Sequence, residues 1–127
     1  MPARYALIVA AMAGLSGVAL GAFGSHALRG QVSEQLLNAW KTGVEYQLYH
    51  ALALMLVAVL QIQRPELAGL KFASGAFTAG ILLFSGSLYL LTLTQISKLG
   101  IITPFGGTAL MAGWLALLIA AWQWPTT

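Results

Sequence analysis

An all-α integral membrane protein is the fold class this sequence predicts: a four-helix bundle with an interfacial amphipathic helix between the first and second spans. Three observations predict it. Hydrophobic residues make up 59% of the 127, and the mean hydropathy is +0.83. The charged residues fall only at Arg4, Arg29, Glu34, Lys41, Glu45, Arg64, Glu66, Lys71 and Lys98, which leaves four uncharged stretches at 5–28, 46–63, 72–97 and 99–127. A bilayer core about 30 Å thick takes roughly 20 apolar residues as helix, and each stretch supplies that number or nearly so.

The first span is expected over about 4–24. Arg4, an apolar run and small residues before Ser25 resemble a secretion signal, but Tyr5 to Phe23 is longer than the usual apolar region of a cleaved leader, so a retained span is expected. Small residues at Ala6, Ala10, Gly14, Gly17, Gly21 and Gly24 recur at steps of three and four and so share one face. In lipid, helices associate by close backbone approach across such residues. The face is expected to pack inside the bundle, with a homo-oligomer contact as the alternative.

Residues 33–43 read as the amphipathic helix. Ser33 suits an N-cap, and Glu34 and Gln35 sit in the first turn, where an acid complements the helix dipole. Glu34, Asn38, Lys41 and Glu45 form a polar stripe opposite Leu36, Leu37, Trp40 and Val44. Trp40 is placed at headgroup depth. The second span, about 44–63, is the exceptional one, because its purely apolar part, Ala51–Leu60, is too short to cross a bilayer. It must start near Val44, which carries Glu45, Gln47 and His50 below the headgroups, and polar groups at that depth face a bundle or a cleft.

After the turn at Arg64-Pro65-Glu66, the third span covers about 67–93, with Ser85 and Ser87 bonding to carbonyls or to a neighbouring helix. Thr103 followed by Pro104 reads as an N-cap and first-turn proline opening the fourth span, about 104–123. Gly106, Ala109, Gly113, Ala116 and Ala120 repeat the small-residue seam of the first span, so the two seams could face each other. Trp122 and Trp124 anchor the far interface. Lys/Arg residues divide three and three between the two sides; the α-amino group favours cytoplasmic termini.

These features bound function. One membrane domain, 1–127, uses nearly the whole length, and no extramembrane catalytic module fits in the loops. Six scattered basic residues make no nucleic-acid surface. The absence of cysteine excludes disulfides, thiolate metal sites and a cysteine nucleophile. No catalytic residue, metal ligand or cofactor is assigned. The one cluster able to exchange protons or bind a polar group is His26, Glu45, Tyr46, Gln47, Tyr49 and His50, since the first loop can bring His26 near the start of span two. It reads as a proton relay, a headgroup or quinone-like site, or a metal site of two His and one Glu. The plainer reading is a hydrogen-bonded network tying the amphipathic helix to the bundle. Gly14, Gly17, Gly21, Gly24, Gly106 and Gly113 are the expected packing glycines.

Four segments resemble one known family: Gly21-Ala22-Phe23-Gly24-Ser25-His26-Ala27-Leu28; Trp40-Lys41-Thr42-Gly43-Val44-Glu45-Tyr46-Gln47-Leu48-Tyr49-His50-Ala51-Leu52-Ala53-Leu54; Leu83-Phe84-Ser85-Gly86-Ser87-Leu88-Tyr89; and Ile102-Thr103-Pro104-Phe105-Gly106-Gly107 with Gly113-Trp114. They run in order through most of the chain and resemble the bacterial domain of unknown function 423, similar to eukaryotic transmembrane protein 256-like proteins. Ser25 and Glu45 stand where that family often carries Ala and Gln, which weakens a catalytic role for Glu45. The resemblance implies a four-helix protein of the bacterial inner membrane and no activity.

The expected function is therefore that of a non-enzymatic accessory or assembly protein. Its expected partners are the lipid bilayer, other membrane proteins or a second copy of itself, and no nucleic acid. The alternatives are a transporter or channel component acting as an oligomer, and an enzyme built on His26, Glu45 and His50.

Overall fold

A computed structural model of the chain describes residues 1–126. Four rods are long and apolar enough to cross a membrane: Ala3–Leu28, Glu34–Gln63, Ala68–Thr94 and Ser97–Trp122. The first is α1 (Ala3–Phe23) extended by a π-helical turn, Gly24–Leu28. The second is one unbroken helix, α2 (Glu34–Gln63). The third joins α3 (Ala68–Gly80) to α4 (Gly86–Thr94) through a second π turn, Ile81–Ser85. The fourth is a short 3₁₀ turn, Ser97–Ile101, leading into α5 (Thr103–Trp122).

Helix α2 is the axis of the bundle. Half of its most apolar window is buried, against 22% for α1 and 28% for the last rod, so the outer helices face mainly lipid. At 30 residues it is about 45 Å long and overshoots a 30 Å hydrocarbon core by about three turns. Those turns are the amphipathic segment, continuous with the span. Ser33 Oγ accepts from Leu36 N at 3.2 Å, the N-cap its sequence position suggests. Glu34, Asn38, Lys41 and Glu45 are exposed, while Leu37, Trp40 and Val44 are buried.

Trp40 does not face the headgroups but turns into the bundle. It is 1% exposed, packed at a tilt between Phe23 and Tyr89 (centroids 5.6 and 4.6 Å). Its Nε1 donates to Leu20 O at 2.8 Å, just where α1 widens into its π turn. A donor inserted at the carbonyl ladder is a recognised cause of such irregularity.

The two small-residue seams serve separate contacts and do not meet. On α1 the seam meets α2: a Cβ at Gly17 would lie 2.7 Å from Leu48 Cδ2, one at Gly21 3.2 Å from Val44, and one at Gly24 2.6 Å from the Trp40 ring. Gly14 lies outside this contact, since nothing is within 4 Å of its added Cβ; Ala13 is buried instead. On α5 the seam meets the third rod. Gly106 sits against the backbone of Leu83 and Phe84, and a Cβ added at Gly113 would lie 2.6 Å from the Phe77 ring. Ala109 is only half-buried, because Leu110 takes the inward position against Gly80. Gly43 and Gly69 are further close approaches: an added Cβ would lie 2.9 Å from the Tyr89 ring and 2.9 Å from Ala116 O respectively.

Thr103 does not cap α5. The helix begins one residue earlier than the Thr-Pro signal suggests, and the Thr103 hydroxyl pairs instead with Ser87 Oγ at 2.6 Å. Both described ends of the chain lie at one end of the bundle. The Met1 amine donates to Lys71 O (3.1 Å), and Arg64 lies 5.6 Å over the Trp124 ring.

Candidate functional site

Six residues of the α1–α2 region are candidates from sequence, and the structure separates them. Glu45, Tyr46, Tyr49 and His26 are on the outer surface. Gln47 and His50 are 5% and 6% exposed and face the interior, but towards different helices. Among the described residues no three His, Asp or Glu side chains sit close enough to hold a metal ion. The triad His26, Glu45 and His50 is thus not assembled: one member is inside the bundle and two are outside it.

His50 is held from both sides. Trp114 Nε1–H can only donate, and it lies 3.0 Å from His50 Nε2, so that nitrogen accepts. The ring proton then resides on Nδ1, which donates to Tyr46 O at 2.7 Å. Around it lies an aromatic cluster: Tyr46 stacked at 5.9 Å, Phe77 tilted at 5.5 Å and Trp114 edge-on at 5.9 Å. The ring has no free lone pair for a metal and no free position for proton exchange. It joins α2 to α5, two helices that otherwise hardly touch.

Gln47 is the centre of the second polar group. Its Nε2 donates to Ala13 O (2.9 Å) and Ser16 Oγ (2.8 Å), and its Oε1 accepts from Tyr89 O–H (2.7 Å). Three rods therefore meet on one amide. Ser16 in turn donates to Met12 O at 2.7 Å. Ser85 adds another tie, donating to Gly43 O at 2.6 Å, and Thr92 Oγ1 lies 3.1 Å from Leu36 O. Sequence reasoning finds Gln47 and His50 but misses Ser16, Tyr89 and Trp114, their partners on other helices. Each is an ordinary residue on an apolar helix, and nothing local signals the pairing.

Beside Gln47 the bundle opens sideways. A cleft of about 430 Å³ lies between α1 and the third rod, with Gln47 of α2 at its floor. Val9, Ile81 and Leu20 give apolar walls, Ser16 and Tyr89 add oxygens, and Met12 and Leu82, both strongly exposed, form its rim. It lies beside the π turn Ile81–Ser85, a type of irregularity that often accompanies functional sites.

The fold and these two polar groups define a class: a small four-span helical membrane protein whose interior polar side chains bond to one another and to backbone carbonyls. The chain belongs to the family described as Protein of unknown function (DUF423), which matches residues 20–107. It is similar to the UPF0382 membrane protein YwdK of Bacillus subtilis (strain 168), 46% identical over 91% of this chain and 94% of the relative. It also resembles the UPF0382 membrane proteins SAB0533 of Staphylococcus aureus (strain bovine RF122 / ET3-1), 42% identical over 92% and 94%, and SH2409 of Staphylococcus haemolyticus (strain JCSC1435), 40% identical over the same shares. No solved structure matches the chain.

Proposed function

We propose that the protein is a non-enzymatic accessory component of the bacterial inner membrane, binding lipid or other membrane proteins, with both termini cytoplasmic. One observation carries this reading. The two interior side chains best suited to chemistry, Gln47 and His50, have their donors engaged by fixed partners, and His50 has both ring nitrogens bonded. A general base needs a free lone pair within reach of substrate, and a transported ion needs a polar track. The remaining interior polar groups favour neither: Gln61, Ser74, Ser85, Ser87 and Thr92 all donate to backbone carbonyls. Lipid contact, by contrast, uses what is plentiful, the apolar faces of α1 and α5.

Affinity purification of the full chain in mild detergent, followed by mass spectrometry of co-purifying lipids and proteins, tests the reading. A stable complement of one or both is expected, equally with parent and His50→Phe protein. A chemical turnover lost in a folded His50→Phe variant would overturn it. The natural absence of cysteine makes sidedness directly measurable. With a membrane-impermeant maleimide on whole cells, Gln31→Cys is expected to label and Thr126→Cys to resist labelling.

A further inference from the structure

We propose that the cleft between α1 and the third rod binds a neutral lipid alcohol, a long hydrocarbon chain whose hydroxyl reaches the Gln47–Ser16–Tyr89 group from the bilayer. This inference rests on the lipid-binding reading above and names the site and the ligand chemistry.

The depth comes first. Ser16 lies midway along the rod Ala3–Leu28, and the exposed rim residues Met12 and Leu82 belong to spanning segments, so the mouth faces hydrocarbon. A charged headgroup cannot follow a lipid to that depth at acceptable energetic cost. Its volume of about 430 Å³ is that of an ordinary ligand site, typically about 300–1,000 Å³.

The hydrogen-bond inventory then selects the ligand. Gln47 has two N–H donors, both engaged with Ala13 O and Ser16 Oγ. Ser16 O–H is held by Met12 O, and Tyr89 O–H by Gln47 Oε1. Thr78, also in the wall, donates to Ser74 O. Every side-chain proton around the cleft is in use, yet each of the oxygens keeps an unused lone pair. The cleft can therefore accept a hydrogen bond but has none to offer. A ligand carrying a donor, such as an alcohol, fits it. An ester, a ketone or a quinone carbonyl does not, because such oxygens would meet only other acceptors.

The shape agrees. Gly86 lines the cleft, and a Cβ added there would have nothing within 4 Å. A glycine within the rod with open space beside it leaves room for an apolar chain, and it lies next to the π turn Ile81–Ser85. It also offers a test, because a larger side chain at this position would fill the cleft without striking the protein.

The experiment measures binding of geranylgeraniol and of its O-methyl ether to the full-length protein in detergent micelles, by native mass spectrometry. The alcohol is expected to bind one per chain, and the ether, which lacks the donor, about tenfold more weakly. Gly86→Leu is expected to lower alcohol binding to the level of the ether. If Gly86→Leu does not fold, Leu82→Trp at the rim is expected to do the same. Equal binding of alcohol and ether overturns recognition through the hydroxyl. Undiminished alcohol binding in the folded cleft-filling variant overturns the location. Either failure leaves the accessory reading standing, since that reading falls only to a turnover dependent on His50.

Discussion

The contact between α1 and α2 and the contact between α5 and the third rod use similar glycine seams, yet they are built differently. At the α5 contact Gly106 admits backbone, lying against the main chain of Leu83 and Phe84, while Gly113 takes the Phe77 ring. At the α1 contact the glycines admit side chains, those of Leu48, Val44 and Trp40, and the polar groups Gln47 and Trp40 reach across to α1 carbonyls. The first contact is tightest at Gly106, where nothing stands between two backbones. The second is tied at a few points, and between those ties and the third rod it leaves a cleft. Small-residue spacing thus predicts proximity without distinguishing a rigid seam from a tethered one.

The largest expected effect comes from filling the rigid seam. In Gly106→Ala the new methyl group would meet the Phe84 backbone, which has no rotamer to retreat to. Overpacking commonly costs about 1–3 kcal/mol, and this contact belongs at or above the top of that range. Reversible unfolding in mixed dodecyl maltoside and SDS micelles should show a loss of about 3 kcal/mol. A variant as resistant to SDS as the parent would mean that the backbones are not in contact.

Breaking the tethered contact should cost less. Gln47→Leu removes three hydrogen bonds and leaves Tyr89 O–H and two oxygens to find new partners. Interhelical hydrogen bonds in bilayers are worth roughly 0.6–2 kcal/mol each, with partial replacement, so a loss of about 2 kcal/mol is expected in the same assay. Tyr89→Phe should weaken the protein by less, and the double variant should fall short of the sum because both changes delete one bond. Strict additivity would show that the amide and the phenol act independently.

The four spans were legible because charge placement and hydropathy are one-dimensional properties, and lipid makes them decisive. Family membership was legible too, from segments such as Trp40–Leu54 and Leu83–Tyr89. The depth at which the second span must start put Glu45, Gln47 and His50 against a bundle or a cleft; Gln47 and His50 are interior, whereas Glu45 is exposed. What could not be read was which helix each would meet. Trp40 carries the signature of an interfacial residue, but its indole N–H found Leu20 O inside the bundle. Thr103 has the sequence of a cap, but the proximity of α4 offered Ser87 instead. Gly69 lacked a striped context and was not suspected, though it admits α5 closely. In each case the outcome depends on a residue far away in sequence.

A smaller effect is expected at the bridge between α2 and α5. Trp114→Phe keeps the ring packed near Phe77 and His50 but deletes the donor to His50 Nε2. A single interhelical bond implies a loss of about 1 kcal/mol. The bridge can also be read without unfolding. Nitrogen-15 NMR of labelled histidine should show His50 protonated on Nδ1 in the parent, with the Nε2 resonance moving in Trp114→Phe. A parent spectrum showing the proton on Nε2 would refute the bond, since indole cannot accept it.

The smallest expected effect separates seam from stripe on α1 itself. Gly14 shares the spacing of Gly17, Gly21 and Gly24, yet an added Cβ there meets nothing within 4 Å, whereas at Gly24 it would strike Trp40. Gly14→Ala should therefore change SDS resistance by no more than about 0.5 kcal/mol, with any shift towards stability because alanine restricts the unfolded chain and favours helix. Gly24→Ala, ten residues along the same stripe, should cost at least about 1 kcal/mol, since the buried indole that holds Leu20 O would have to move. If the two variants lost stability equally, the stripe as a whole would be the packing surface and the one-residue shift of the buried face to Ala13 would be wrong. If Gly14→Ala alone were damaging, Gly14 would be covered by something other than this chain, and a partner helix on the outer face of α1 would be the first thing to seek.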